Sequence, residues 1–266
     1  MLRRHRHLIL PACVFALALA LRLFGIDIQS IWADEGGSIA LSSRAPGVIL
    51  RDTLHDVHPP LYFWVLHGWM LAWGVSPVAA RALSAVCGAL LAALTLVLGR
   101  RWFGRLAGVA AGVAAIVSPF AVHYSQEARM YALAALLAVL VWCAVEWWLA
   151  RPGAWPLAAY AASALALLAT HYIAVAVVIA ANVFVLASLA ATWQNGRTSL
   201  ARVIAWLAVQ FVLAACFLAA VWVSQAGLAG WTATKAYLPP GTILLDILRM
   251  FTVGPNTTAG LDAWQV

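Results

Sequence analysis

Long apolar runs, separated by short polar or basic segments, make up most of the chain. A helix that crosses a bilayer needs about 20 apolar residues, and several of the runs reach or approach that length. We predict membrane spans at residues 8–26, 78–98, 106–122, 128–149, 155–170, 171–192 and 202–223. The pattern therefore indicates an all-α, polytopic transmembrane helical bundle of about seven spans.

One further apolar stretch, residues 59–74, is rich in aromatic residues and is interrupted by His67. Trp and Tyr are enriched at membrane interfaces, where amphipathic helices also lie. Counting this stretch as a full crossing would move Arg100 and Arg101 to the face opposite the other basic groups. We therefore predict an interfacial helix or a re-entrant segment within a long first external loop, residues 27–77.

Arginine positions set the expected orientation, because short cytoplasmic loops carry an excess of Lys and Arg. The basic groups are Arg3, Arg4 and Arg6, then Arg100, Arg101 and Arg105, then Arg151, and finally Arg197 and Arg202. If all of them are cytoplasmic, the N-terminus is cytoplasmic and every acidic residue except Glu146 lies at the outer face. A basic start with an apolar run is also typical of a cleaved signal peptide, but this run continues through Phe24, which favours a retained first helix.

Composition supports the membrane class and argues against two others. The chain is 65% hydrophobic and 9% charged, with a mean hydropathy of +0.93, far from the usage of water-soluble domains. Its formal charge of +7 is scattered in small groups, which argues against a nucleic-acid surface. The four cysteines lie inside apolar runs, without the spacing of a metal site or a disulfide framework.

The first cluster of candidate chemistry is the pair Asp34 and Glu35, directly after the first predicted span. Adjacent carboxylates at a membrane boundary repel each other and lose hydration, so a cation, a donor network or a substrate is expected to compensate them. The alternative is a helix start, where Asp34 caps the helix and Glu35 favours its dipole. The two residues alone leave both interpretations open.

A second cluster follows in the same loop, where His55, Asp56 and His58 precede Pro59 and Pro60. Side chains of His and Asp at this spacing are able to ligate a metal or hold a phosphate, and the double proline predicts an extended entry into a helix. Histidines in solvated loops are common, however, so a divalent metal is left as an alternative and no cofactor is assigned.

A third cluster occupies residues 118–131 and includes Glu127 and Arg129 at the start of a predicted span. Burial of two ionisable groups at a bilayer edge is costly unless they pair or meet a charged ligand. The rigid fork of an Arg suits a phosphate, although an interfacial salt bridge or a snorkelling Arg is the alternative. Arg81 and the pair His171 and Tyr172 either line the same cavity or anchor the chain at the interface.

These motifs resemble the GT-C superfamily of membrane glycosyltransferases. The resemblance is to bacterial relatives of protein O-mannosyltransferases and of aminoarabinose transferases, which are similar to glycosyltransferase family 39. The matching stretches, in family order, are Trp32-Ala33-Asp34-Glu35, His58-Pro59-Pro60-Leu61-Tyr62, Ala80-Arg81-Ala82-Leu83-Ser84-Ala85, Gly99-Arg100-Arg101-Trp102-Phe103-Gly104, and Ser118-Pro119 with Tyr124-Ser125-Gln126-Glu127-Ala128-Arg129-Met130-Tyr131.

The resemblance implies transfer of a sugar from a polyprenyl-phosphate donor to an acceptor, which is a protein, lipid or glycan, at the periplasmic face of a bacterial inner membrane. It implies that Asp34 is the catalytic base, that Glu35 orients Asp34 or binds a metal, and that Arg129 faces the donor phosphate. The implied substrate-binding set also contains His58 on the acceptor side, Tyr124, Gln126 and Glu127 around the sugar, and Arg81, Tyr131, His171 and Tyr172.

The chain also departs from this family, whose members are longer and carry further spans and often a soluble C-terminal domain. We predict that residues 1–223 form the membrane module and that 224–266 is an external segment that begins a missing C-terminal part. Two other functions stay open. A transporter or flippase for lipid-linked sugars would carry ionisable residues near mid-membrane and broken helices, and a non-catalytic scaffold would need none of the three clusters.

Overall fold

The computed structural model describes residues 6–193, 199–233 and 240–252. Throughout this part of the chain the regular secondary structure is helical, which confirms the predicted all-α class. In chain order the helices are α1 (Arg6–Leu23), α2 (Ala33–Ser42), α3 (Pro46–Thr53), α4 (Leu61–Trp73), α5 (Pro77–Phe103), α6 (Arg105–Val117), α7 (Pro119–Ser125), α8 (Tyr131–Ala150), α9 (Ala154–Leu168), a 3-10 turn (Tyr172–Ala174), α10 (Val175–Trp193), α11 (Leu200–Ala233) and α12 (Pro240–Thr252).

The helices fall into two compact units. The first unit is drawn from Met1–Gly36, Gly74–Ala132 and Lys235–Val266, and the second from Gly37–Trp73 and Leu133–Thr234. Each unit has its own buried apolar cluster.

In the first unit, α1, α5 and α6 pack around small residues. Ala18, Ala89 and Ala92 are fully buried between them, and short side chains of this kind let helix backbones approach closely inside a membrane. Gly104 separates α5 from α6 with a φ of 89°, a left-handed conformation that glycine adopts without steric cost. The two helices therefore form a tight hairpin.

The second helix of this hairpin, α6, continues into α7 through a sharp bend of 55° at Ser118. The Ser118 side chain accepts a hydrogen bond from the backbone N–H of Ala121 at 3.3 Å, and Pro119 occupies the first turn of α7. Both features are typical of a helix start. The third predicted cluster thus begins on a short helix that is bent away from α6, and Glu127 and Arg129 lie between the end of that helix and the start of α8.

In the second unit, α8 to α11 bury an aromatic core. The rings of Trp148 and Tyr160 lie 5.0 and 4.4 Å from that of Trp206, whose indole N–H donates to Asn182 Oδ1 at 3.0 Å. Gln210 Oε1 accepts from Asn182 and from the Tyr160 hydroxyl. Polar side chains between membrane helices need such partners, and the bonds also fix how the helices pack.

Each of the seven predicted spans coincides with a helical segment, but the structure does not confirm a count of seven. Among the described residues, four helices are long and apolar enough to cross a membrane, or five if the bent pair α6 and α7 counts as one span. The remaining two segments, Leu8–Leu23 and Ala154–Leu168, are apolar but shorter. The apolar helices of the described residues therefore support a multi-pass membrane protein.

The aromatic stretch 59–74 forms α4, which has 13 residues and is about 20 Å long at 1.5 Å per residue. That length falls short of the roughly 30 Å of a hydrocarbon core. Its start is fixed within the second unit, because the Leu61 N–H donates to the Ala169 carbonyl at 3.0 Å. Whether α4 lies in the interface stays a prediction.

At the C-terminal end, α11 continues to Ala233, beyond the predicted end of the last span at residue 223. Of the predicted external segment 224–266, the structure describes the end of α11 and α12. The rest of that segment lies outside the described residues, as do Arg3, Arg4 and Arg197.

Replacing Gly108 with Ala tests the close packing of α5 against α6. A Cβ at this position would fall 2.7 Å from the Leu96 carbonyl oxygen and closer still to Arg100. We expect the free energy of unfolding in detergent to drop by about 1–3 kcal/mol, as for other overpacked sites. The matched change Gly68→Ala meets nothing within 4 Å and is expected to be neutral or slightly stabilising; equal losses in the two variants would contradict the packing argument.

Candidate functional site

A bidentate ion pair lies at one end of the first unit. Arg81 Nε and Nη2 donate to the two carboxylate oxygens of Glu35 at 2.8 and 2.6 Å, and both side chains are at least 98% buried. The same guanidinium donates to three carbonyls of the loop between α1 and α2, those of Ile26, Gln29 and Ser30. Arg81 therefore fixes the loop that carries the first predicted cluster.

Glu35 joins the first cluster to the third, because its Oε1 also accepts from the backbone N–H of Ala128 at 2.8 Å. Burial alone would raise the pKa of this carboxyl, but the hydrogen bonds and charge of Arg81 and the Ala128 N–H bring the pKa below its ordinary value of 4.5. Glu35 is therefore ionised at neutral pH, and both of its oxygens accept bonds from the protein. These contacts suit a positioning residue.

Asp34, one residue earlier, points a more open carboxylate toward Arg129. Its Oδ2 lies 3.3 Å from Arg129 Nη2; the Asp34 side chain is 50% exposed, whereas that of Arg129 is 8% exposed. Arg129 Nη1 also donates to the Asp34 carbonyl at 3.3 Å. The structure thus brings together the two residues that the sequence analysis placed in a shared site.

The Arg129 guanidinium is held between two rings, 6.0 Å from the centre of Trp32 and 5.8 Å from that of Tyr131. Rings at this distance attract a cation and limit its orientations. The carbonyl of Arg129 accepts from the Ser84 hydroxyl at 3.3 Å, which fixes the backbone as well. The arrangement leaves a positioned cation beside an accessible carboxylate.

Glu127 and His123 form a second polar pair in the same unit. His123 Nε2 lies 3.0 Å from Glu127 Oε1, and Glu127 is only 7% exposed. The sequence analysis did not single out His123, although a spacing of four residues is one at which side chains of a helix meet. In the structure α7 ends at Ser125, and Glu127 lies just beyond it. Tyr124 packs edge-on against Tyr131 with ring centres 4.9 Å apart, so the pair borders an aromatic wall.

Arg22 was also missed by the sequence analysis, and it is completely buried. Its guanidinium donates to Ser125 Oγ at 3.1 Å, to the Ala18 carbonyl at 3.2 Å and to the Ala115 carbonyl at 2.9 Å. The signal was a charge inside the first apolar run, where such residues are rare and seldom without a role. It joins α1 to the α6–α7 bend.

Gln126 was predicted to border the sugar, but its amide nitrogen lies against the end of α1. Its Nε2 donates to the carbonyls of Arg22 and Phe24 at 3.1 and 2.9 Å. The observed contacts tie two helix ends together, and a contact with sugar stays a prediction.

His58, His171 and Tyr172 come together in the second unit. The two imidazole rings are perpendicular with centres 6.1 Å apart, and the Tyr172 hydroxyl lies 2.8 Å from Ser224 Oγ. The hydrogen bond from His58 at 3.1 Å lowers the pKa of Asp56. Within the described residues, no group of three or more His, Cys, Asp or Glu side chains is arranged to hold a metal ion.

The predicted residues thus form two groups. The first unit holds Asp34, Glu35, Arg81, Tyr124, Gln126, Glu127, Arg129 and Tyr131, and the second unit holds His58, His171 and Tyr172.

Comparison with known proteins decides the family. The model of the dolichyl-phosphate-mannose-protein mannosyltransferase family matches residues 57–222, which is more than half of the chain. The chain belongs to this family. As a mannosyltransferase-family member it is a GT-C membrane protein, as its motifs predicted. The match includes the third cluster and, from the second cluster, His58. No curated protein sequence matches the chain significantly.

Solved structures agree on the fold of this mannosyltransferase-family chain. Apo ArnT from Cupriavidus metallidurans superposes with a TM-score of 0.57 at 17% identity, over 90% of this chain and 47% of ArnT. The form of ArnT bound to undecaprenyl phosphate gives a TM-score of 0.53 at 20% identity, over 77% of this chain and 41% of ArnT. The chain spans about half the length of these relatives.

Replacing Arg81 with Met tests the buried ion pair. The single change leaves the Glu35 carboxylate buried without its partner, which is expected to cost about 3–5 kcal/mol of unfolding free energy. The double variant Glu35→Met with Arg81→Met removes both charges and is expected to lose less. Thermal or denaturant unfolding in detergent measures both.

The control is the exposed ion pair between Arg44 and Asp52, whose side chains approach to 2.7 Å. Because exposed pairs contribute roughly 0–1 kcal/mol, Arg44→Met is expected to change stability little. A double variant as unstable as Arg81→Met alone would argue against the pair as the source of the loss.

Proposed function

We propose that the chain is the membrane part of a glycosyltransferase that moves a sugar from a polyprenyl-phosphate donor to an acceptor hydroxyl. The observation that carries the proposal is the contact between the accessible carboxylate of Asp34 and the buried guanidinium of Arg129. Membership of the mannosyltransferase family and the likeness to ArnT, which has been solved with undecaprenyl phosphate, support it.

In this mechanism Asp34 is the general base. It takes the proton from the acceptor hydroxyl as the acceptor oxygen forms a bond to the anomeric carbon of the sugar. The bond between that carbon and the phosphate oxygen breaks, and the phosphate leaves with the electron pair on the lipid carrier. Negative charge near the anomeric carbon also favours an oxocarbenium-like transition state, as at glycosidase sites.

Arg129 binds the donor phosphate in this mechanism and stabilises the charge that develops as the phosphate leaves. A guanidinium presents its donors in a rigid fork that matches phosphate oxygens, and the Trp32 and Tyr131 rings hold this one in place. A cation positioned before the reaction needs no reorganisation when the charge develops. Asp34 Oδ2 lies 3.3 Å from one nitrogen of this fork.

The other predicted residues receive supporting roles in the proposal. Glu35 and Arg81 position Asp34, Tyr124 and Tyr131 border the sugar together with Glu127 and Gln126, and His58, His171 and Tyr172 serve the acceptor. We further propose that residues 1–223 form the membrane module of a longer enzyme, with a cytoplasmic N-terminus and a site at the outer face of a bacterial inner membrane. Along α5, Arg81 and Arg100 are about 28 Å apart at 1.5 Å per residue, close to a bilayer thickness, which supports this orientation.

A flippase for lipid-linked sugars is the second candidate, because the 55° bend between α6 and α7 resembles the broken helices of transporters. A flippase needs no base beside the site. The two functions therefore differ in what happens when Asp34 loses its charge.

The change Asp34→Asn removes the base and keeps the shape of the side chain. We expect transfer from a radiolabelled polyprenyl-phosphate sugar to fall about 10²–10⁴-fold, the usual contribution of general-base catalysis, while donor binding persists. The readout is label transferred by membranes that contain equal amounts of protein. Asp52→Asn, an acid of the same predicted loop that faces the exposed Arg44, is the matched control, and unchanged transfer by Asp34→Asn would remove Asp34 as base and favour the flippase.

Replacing Arg129 with Met tests the phosphate contact. Loss of a charged hydrogen-bond partner is expected to weaken donor binding about 10- to 100-fold, and Arg129→Lys is expected to restore only part because Lys lacks the fork. Titration with polyprenyl phosphate alone separates this effect from sugar recognition. Arg51→Met, on a side chain 74% exposed, is the control; binding by Arg129→Met at wild-type strength would refute the assignment.

A further inference from the structure

Glu127 has one carboxylate oxygen that the described part of the chain does not satisfy. Oε1 lies 3.0 Å from His123 Nε2, but Oε2 is buried and accepts no hydrogen bond from any described residue. The residue as a whole is 7% exposed. A buried hydrogen-bond acceptor without a protein donor indicates that a bound ligand supplies the donor.

Proteins rarely leave a buried carboxylate oxygen without a hydrogen-bond partner. Taking an ionised carboxylate oxygen out of water without a partner is costly, and most buried polar atoms have at least one hydrogen bond. Glu35, which binds Arg81 in the same unit, shows the other outcome, since both of its oxygens accept from protein donors. The fold therefore satisfies one buried carboxylate completely and leaves half of another open.

The surroundings of Glu127 indicate the chemistry of the missing donor. Positive charge is already present, because Arg81 interacts electrostatically with Glu127 and Arg129 lies two residues further along the chain. A second cation would meet these groups, whereas a hydroxyl brings a hydrogen-bond donor without a charge. The aromatic wall of Tyr124 and Tyr131 beside a single oriented polar group is typical of small-molecule sites.

We propose that Glu127 Oε2 accepts a hydrogen bond from one hydroxyl group of the sugar carried by the lipid donor, while His123 holds the carboxylate through Oε1. This proposal rests on the proposed function and adds the residue that selects the sugar. Glu127 is then a specificity-determining residue and His123 a positioning residue. Both are distinct from the base Asp34 and the phosphate ligand Arg129.

The proposal predicts which sugars the protein accepts on the lipid donor. A donor whose sugar lacks the recognised hydroxyl leaves Oε2 buried without a partner, and sites built to bond a hydroxyl reject such analogues strongly. We expect the wild-type chain to favour the hydroxylated sugar over one of its monodeoxy analogues by about 10- to 100-fold, the usual value of a hydrogen bond to a charged group. Glu127→Ala removes the acceptor and is expected to bring that ratio close to one.

The experiment uses membranes that contain the full 266-residue chain, and a panel of polyprenyl-phosphate hexoses in which each ring hydroxyl is removed in turn or replaced by an amine. Competition between paired donors gives the ratio of kcat/KM values, and retention of donor by solubilised protein gives binding.

Glu127→Gln, nearly isosteric, is measured beside Glu127→Ala so that the result does not depend on one variant folding. His123→Gln keeps a donor toward Oε1 and is expected to retain the preference, and Glu146→Gln is the control for loss of a carboxylate elsewhere.

The possible outcomes distinguish a failure of this inference from a failure of the proposed glycosyltransferase function. A preference that is present in wild type and in Glu146→Gln, but reduced in both Glu127 variants, supports the proposal. Wild-type transfer or binding with a preference that survives both Glu127 changes overturns the inference alone, as does an amino analogue used as well as the hydroxylated sugar. A wild-type chain that neither binds nor transfers any donor of the panel overturns the proposed function and this inference together.

Discussion

The ion pair between Glu35 and Arg81 is the contact on which the polar end of the first unit depends. It joins three stretches that are distant in sequence: the loop after α1, the start of α5 and the turn at Ala128. A buried pair of this kind requires good geometry and further hydrogen bonds to offset its desolvation, and both are present. Asp34 and Arg129 are brought face to face as a consequence.

The sequence predicted much of this end of the molecule, because the bilayer limits where charges occur. The resemblance to GT-C glycosyltransferases implied that Asp34 and Arg129 serve one site, and the structure brings their side chains to 3.3 Å. The sequence did not reveal which of the adjacent carboxylates, Asp34 or Glu35, is buried. That choice depends on Arg81, whose partner is 46 residues away, and no local pattern encodes such a distance.

Other differences have equally physical origins. Hydropathy registers apolar length and not the bend at Ser118, so one predicted span became α6 and α7. His123 and Arg22 escaped notice because each was judged as part of a run, although the spacing of His123 from Glu127 and the isolated charge of Arg22 were both visible. The role of Gln126 depends on where α1 ends, which sequence patterns locate only to within a few residues.

Arg22 has an effect that reaches beyond its own contacts. The bonds described for its guanidinium go to two carbonyls and a hydroxyl, and neutral dipoles stabilise a cation without cancelling it. In a medium of low dielectric constant the remaining field decays slowly. The end of α1 therefore holds a positive charge inside the first unit, which its hydrogen bonds to α6 and α7 stabilise without neutralising.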